Sequence, residues 1–341
     1  MKVPFALVSD GINCADASRR NGDFYIMYKI FDAHCDTIYE LSERGLPLDK
    51  NELHLDIERM SEYNTYIQVF AAFVDRKDIK VSPMNHCLTL MDKYYTEIEK
   101  NKDKISVVKT AADLQKAKEG GVHAILSIEG AEVLEGSLAA LRMYYRMGVR
   151  LITLTWNYAN ELADGICESR GGGLTEFGRQ AVALMEELGI LIDVSHLSEK
   201  GFWDVVECTK YPFVASHSCV KNICGHIRNL TDEQISEIIR RNGVIGINFY
   251  PQFLDNNGEC GIDKLCEHIE YILSMNGENT AALGSDFDGV DCLPSGICGA
   301  ESMKDICKRL SASGINDDVI QKIAFDNLYR VFYQTFNRKN D

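Results

Sequence analysis

The sequence predicts an α/β protein, a single TIM-like (β/α)8 barrel, distorted and carrying insertions. Three observations lead there. Short apolar runs alternate with longer amphipathic stretches from Ile30 onward, the pattern of repeated βα units rather than of segregated strands and helices. Eight such runs spread over about three hundred residues, a spacing that suits a barrel with insertions. No GxGxxG or GxxxxGK[ST] loop follows any of them, so the runner-up, a doubly wound open sheet, lacks its usual phosphate site.

The candidate strands in order are 29–36, 65–74, 122–129, 151–156, 190–196, 213–217, 244–249 and 281–286. Each is a short run of largely apolar residues, as expected of parallel strands covered on both faces. Helical patterns lie between them, among them 137–146, 175–188, 231–242, 262–275 and 317–336, and many end at Gly or Asn. Residues 1–26 are rich in Asp, Asn, Ser and Arg, show neither hydrophobic period, and precede a second methionine, Met27. They are expected to form a peripheral arm or an upstream extension, with 27–341 as one barrel domain. Neither an internal repeat beyond the βα alternation nor a low-complexity linker divides the chain.

Composition narrows the function classes. With 45% hydrophobic and 26% charged residues the chain can bury a sizeable core and is not disordered. Its formal net charge of −15 repels phosphate backbones and anionic lipid surfaces, so neither nucleic acid nor membrane is an expected partner. No apolar stretch approaches the roughly 18 to 20 residues that span a bilayer. The twelve cysteines form no CxxC pair and read as reduced and mostly structural. A cytoplasmic protein is the expectation, and a homodimer is left open.

The metal-competent side chains fall at the C-terminal ends of the candidate strands. The first ends in Asp32-Ala33-His34-Cys35-Asp36, the third in Glu129-Gly130, the fifth in Asp193-Val194-Ser195-His196, the sixth in Ser216-His217, and the eighth in Asp286-Phe287-Asp288-Gly289. A barrel gathers those ends into one pocket. His34 and Asp36, two apart on a strand, point to the same face and can bind one ion. Imidazoles and carboxylates without paired thiolates suit zinc, with manganese or iron behind it. Three histidines and two carboxylates are too many for one open catalytic zinc and suit two ions sharing a bridging carboxylate. His54, His86, His123, His226 and His268 are expected to be hydrogen-bonded core residues. Asp286 and Asp288 would, on a blander reading, cap the turn that follows. Arg170-Gly171-Gly172-Gly173 reads as a flexible loop before the helix at Thr175, with an anion-binding role as the lesser alternative.

These motifs, with the block from Gly173-Leu174-Thr175 through His196, Ser216-His217-Ser218 and Arg228-Asn229, resemble the membrane (renal-type) dipeptidases of the amidohydrolase superfamily, from about Ile30 to about Phe336. The resemblance implies two zinc ions per chain and hydrolysis of dipeptides, including L-D ones, by a metal-bridged hydroxide. Carried over by residue, His34 and Asp36 bind one zinc, His196 and His217 the other, and Glu129 bridges both. Asp286 matches the catalytic aspartate and Arg228 the arginine that receives the substrate carboxylate. One position departs: many family members carry a histidine near the scissile carbonyl where Trp156 stands, so substrate range is expected to differ. The rivals are another binuclear-metal amidohydrolase, a deaminase or lactonase-like enzyme, and a non-catalytic barrel binding protein. A His-x-His pair in the first strand with a bridging lysine would favour the former, and a lost ligand the latter; the sequence has neither mark.

Overall fold

The computed structural model describes residues 28–74 and 82–338; the expected arm, 1–26, lies outside the described residues. Among the described residues, nine parallel strands form the sheet: β1 Lys29–Cys35, β2 Thr65–Phe73, β3 Ile105–Val107, β4 Gly121–Glu129, β5 Val149–Thr153, β6 Leu191–Asp193, β7 Val214–Ala215, β8 Val244–Ile247 and β9 Ala281–Leu283. They run in the order β2-β1-β9-β8-β7-β6-β5-β4-β3, and β2 also pairs with β4. That pairing is in register from Thr65↔Gly121 to Phe73↔Glu129 and closes eight strands into a barrel.

The ninth strand explains the count. β3 pairs only with the first half of β4, from Ile105↔Val122 to Val107↔Ala124, while β5 takes the second half, from Leu126↔Val149 to Glu129↔Thr153. It is a three-residue spur with one exposed side chain, too short to leave a hydrophobic signature.

Each barrel strand sends an apolar side chain into the floor, including Phe31, Ile67, Ile125, Leu151, Leu191, Val214, Val244 and Ala282, all buried. Phe325 and Phe332 from the C-terminal segment seal this end, with ring centroids 5.9 and 5.2 Å from that of Phe31. That segment is not the single helix expected over 317–336: a π-helical turn, Lys322–Asp326, separates helices Asp317–Gln321 and Asn327–Asn337. A π turn spends one extra residue per turn, and Phe325 within it reaches the barrel floor.

The intervening helices start where local chemistry allows. Ser137, Thr175 and Thr231 accept the backbone N–H of Ala140, Gly178 and Gln234 respectively, each satisfying a donor the helix leaves unpaired. Strand periodicity then carries the polar residues upward. Ile125 lines the floor, and Glu129, four positions on, shares its face at the mouth. Among the described residues no helix is long and apolar enough to cross a membrane.

Candidate metal centre

Strands β5 to β9 all stop earlier than the sequence predicts, at Thr153, Asp193, Ala215, Ile247 and Leu283. In the turns beyond β6 and β9, His196 (φ 66°), Asp286 (φ 61°) and Asp288 (φ 67°) adopt left-handed backbone conformations, which cost an L-residue of order 1 kcal/mol or more. Instead of alternating along extended strands, these side chains swing over the barrel mouth. There the structure brings together His34, Asp36, Glu129, His196, His217 and Asp286, all buried.

Glu129 is the centre of the cluster. Its Oε2 lies 3.3 Å from His34 Nε2, while its Oε1 lies 3.0 Å from His196 Nε2 and 3.4 Å from His217 Nε2. His34 Nε2 is 3.8 Å from both Asp36 Oδ1 and Asp286 Oδ1. Three overlapping ligand groups result, of which two share Glu129, one with His34 and Asp36 and one with His196 and His217, while His34, His217 and Asp286 make the third.

The orientation of the His196 and His217 rings suits ligation through Nε2. His196 Nδ1 donates to Asn157 Oδ1 at 2.9 Å. His217 Nδ1 meets Ser216 Oγ at 2.7 Å, and that hydroxyl donates to buried Asp193 at 2.6 Å. With the protons on Nδ1, both Nε2 lone pairs face the pocket, 2.9 Å from one another. Two acceptors that close require a positive centre between or beside them. Among the described residues, both ring nitrogens of His34 and Asp36 Oδ1 are buried without a hydrogen-bond partner, the second sign that the donor set fits a cation.

Electrostatics agree. Burial pushes His196 down to about 4, assisted by the Arg228 charge, and burial together with nearby His34 holds His217 well below its usual value; both rings are neutral, as a ligand must be. Burial and the Glu129 charge raise Asp36 to about 7. Burial alone would raise Glu129, but His34, His196 and His217 hold it well below the usual carboxylate range. Burial would likewise lower His34, yet Glu129 and Asp36 drive it well upward. The carboxylates thus draw positive charge to this point, and a divalent cation answers that demand more fully than one proton.

Gly289 keeps the centre open. A Cβ there would sit 2.2 Å from Asp36 Oδ2 and 2.5 Å from Asp286 Oδ1. Gly289→Ala is expected to displace both carboxylates and weaken divalent-cation binding by about tenfold or more, in the range seen when ligand geometry is disturbed, with little change in helix content. Titration calorimetry beside circular dichroism checks this.

A cleft of about 730 Å³ opens above, with Asp36, Glu129, His196, Asp286 and Trp156 on its walls. Trp156 is half-buried, its ring 5.2 Å from that of Phe73. Arg228 is buried, its guanidinium 5.4 Å from the Phe253 ring, and its Nη2 donates to the His217 carbonyl at 3.2 Å. Its Nε has no hydrogen-bond partner among the described residues. Arg228 lies off the large cleft, on an adjoining cavity of about 30 Å³ that also reaches His196 and Ser218. A buried guanidinium with a spare donor favours an anionic partner.

Several site residues escape sequence reasoning. Asn157 orients His196, and Asn248 donates to Asp286 Oδ2 at 2.8 Å; an isolated asparagine carries no spacing signal. Asp32 accepts the backbone N–H of Ser285 at 2.8 Å and ties β1 to the turn bearing Asp286. His54, expected in the core, is hydrogen-bonded but stands on the cleft wall, where its Nδ1 accepts the Asp288 N–H at 3.0 Å. Asp288 in return accepts the His54 N–H at 2.8 Å and the Thr37 hydroxyl at 2.6 Å, tying three loops together rather than capping a turn. His123 pairs with Ser106 and Gly120, and His268 lies between Val220 N–H and the Leu254 carbonyl, both structural as expected. Arg170 is hydrogen-bonded to Asp164, which also accepts the Gly172 N–H at 2.6 Å, so the glycine loop is anchored at this end.

Comparison with known proteins gives one consistent result. The sequence model described as membrane dipeptidase (peptidase family M19) matches residues 20–341. An uncharacterised dipeptidase of Schizosaccharomyces pombe is 30% identical over 300 residues, 83% of this chain and 72% of the relative. A metallopeptidase from Rhodobacter sphaeroides, solved with a phosphinate mimic of the dipeptide L-Ala-D-Ala, is 26% identical with a TM-score of 0.84, covering 91% of this chain and 99% of that one. The M19 metallopeptidase dipeptidase AC is 27% identical with a TM-score of 0.83 over the same shares.

Proposed function

Because the chain belongs to the membrane dipeptidase family, peptidase family M19, and is a metallo-dipeptidase, we propose that it uses two zinc ions to hydrolyse free dipeptides, those with a D-residue at the C-terminal position included. The observation that carries the two-ion reading is Glu129, whose two oxygens face two separate ligand pairs. His34 and Asp36 would hold one ion, His196 and His217 the other, and Glu129 both. The imidazole and carboxylate donor set supports zinc. The L-D range is supported by the Rhodobacter sphaeroides relative, whose bound ligand mimics L-Ala-D-Ala.

When bound, the ions would supply Lewis-acid activation of the attacking water and of the scissile carbonyl. The chain's own residues do the rest. Arg228 would receive the substrate carboxylate through its unused Nε and its Nη groups, aligning the peptide and selecting substrates with a free C-terminus nearby. Asp286 is fixed on one side by Asn248, which leaves Oδ1 facing the pocket. Burial and the neighbouring Glu129 raise its affinity for a proton, which suits a group that takes a proton from water and returns it to the leaving amine. Trp156 cannot exchange protons near pH 7 and would act as a wall and a single N–H donor.

The test is Arg228→Met. Truncating one partner of a buried charge pair costs about 2 to 5 kcal/mol, so KM for free dipeptides should rise by roughly 30-fold or more, with a much smaller change for C-terminally amidated substrates. Equal losses on both substrate types would remove Arg228 from the carboxylate role.

A further inference from the structure

Around the closed ring the strands follow the order β1, β2, β4, β5, β6, β7, β8, β9. Arg228 lies on the chain that follows β7, while Phe73 ends β2, four places away in an eight-membered ring, so their strands stand on opposite sides of the barrel, and His196 lines both the small cavity at Arg228 and the cleft at Phe73. Glu129 ends β4, between Phe73 on β2 and Trp156 after β5. A dipeptide whose carboxylate sits at Arg228 and whose scissile carbonyl sits over Glu129 has one residue left, and it extends toward the β1, β2 and β5 side.

Three aromatic rings stand there, on a cleft that Glu40, Arg44 and Glu52 also line. Tyr39, Phe73 and Trp156 are half-buried and all line the cleft. The Phe73 ring lies edge-to-face with both neighbours, 5.6 Å from Tyr39 and 5.2 Å from Trp156, so each ring is braced by another. We infer that these three rings form the subsite for the side chain of the N-terminal residue, and that it favours dipeptides beginning with a large apolar or aromatic residue. The inference rests on the dipeptidase reading and adds the substrate class to it. A glycine or alanine at that position would leave the rings wetted. A leucine or phenylalanine would cover them, and edge-braced rings present a ready surface for a further aromatic contact.

The experiment is a comparison of kcat/KM across Xaa-Ala dipeptides, with Gly, Ala, Leu, Phe, Lys and norleucine as the first residue, on the zinc-loaded protein. Phe-Ala and Leu-Ala should exceed Gly-Ala by about tenfold or more, the discrimination an apolar pocket commonly gives, and norleucine should match or exceed lysine. Phe73→Ala should compress the Phe-to-Gly ratio to below about threefold while the ranking of an Ala-Xaa series persists, since the C-terminal residue faces the other side of the mouth. Equal rates for Gly-Ala and Phe-Ala in the wild-type protein would overturn the inference and leave the dipeptidase reading intact. Lysine outrunning norleucine would overturn it by making the wall a cation site, and a reordered Ala-Xaa series in Phe73→Ala would assign the wall to the wrong residue. Failure to cleave any dipeptide would bring down the dipeptidase reading itself and this inference with it. If Phe73→Ala fails to fold, the wild-type series decides alone.

Discussion

Glu129→Gln should reduce kcat/KM by more than any single histidine substitution in the cluster, and by more than the roughly 10- to 100-fold typical when a partner of a metal ligand is lost. The reason is geometric. Removing His196 or His217 leaves the His34 and Asp36 pair and the bridge intact, whereas the amide removes negative charge from both sides at once. It also places an NH2 group against either His34 Nε2, 3.3 Å from Oε2, or the two imidazoles beside Oε1. Metal content should fall below two ions per chain, measured by elemental analysis beside the rate. A variant that keeps two ions and a near-normal rate would refute the bridging role.

Asp286→Asn should lower kcat by about 10² to 10⁴-fold, the usual range for a general acid-base group, with metal content unchanged. The substitution separates chemistry from folding well. Asn tolerates the left-handed conformation that Asp286 adopts at φ 61°, so the turn after β9 can persist. Asn248 supplies a donor to this side chain, and the amide oxygen can still accept it. Steady-state kinetics with metal analysis checks the split. A fall in bound metal to match the fall in rate would make Asp286 a ligand instead, consistent with its position near His34 and His217.

Much of this was legible because barrel strands are buried on both faces and read as continuous apolar runs, so all eight were locatable from sequence. The convergence of His34, Glu129, His196 and His217 followed from strand ends alone. The strand boundaries were not legible, because the apolar runs continue past the last ladder pairings, into turns where His196 and Asp286 take left-handed conformations that no local pattern announces. β3 is too short and too exposed to register as a run, and the π turn at Lys322–Asp326 has no period distinct from the helix around it. Asn157, Asn248 and His54 acquire roles only when distant loops meet: Asn157 with His196, Asn248 with Asp286, and His54 with Asp288. Arg228 was readable only through the family resemblance, since its burial and its partnerless Nε are properties of the folded chain.

A zinc titration of chelator-stripped protein, followed by dipeptide hydrolysis, decides whether this barrel is a two-ion dipeptidase. Stripping should abolish activity while circular dichroism changes little, because the ligands stand at the ends of strands held by a large apolar core. Activity should then rise with added zinc and level off at two equivalents per chain. Full activity in the stripped protein, or a plateau at one equivalent, would contradict the two-ion reading.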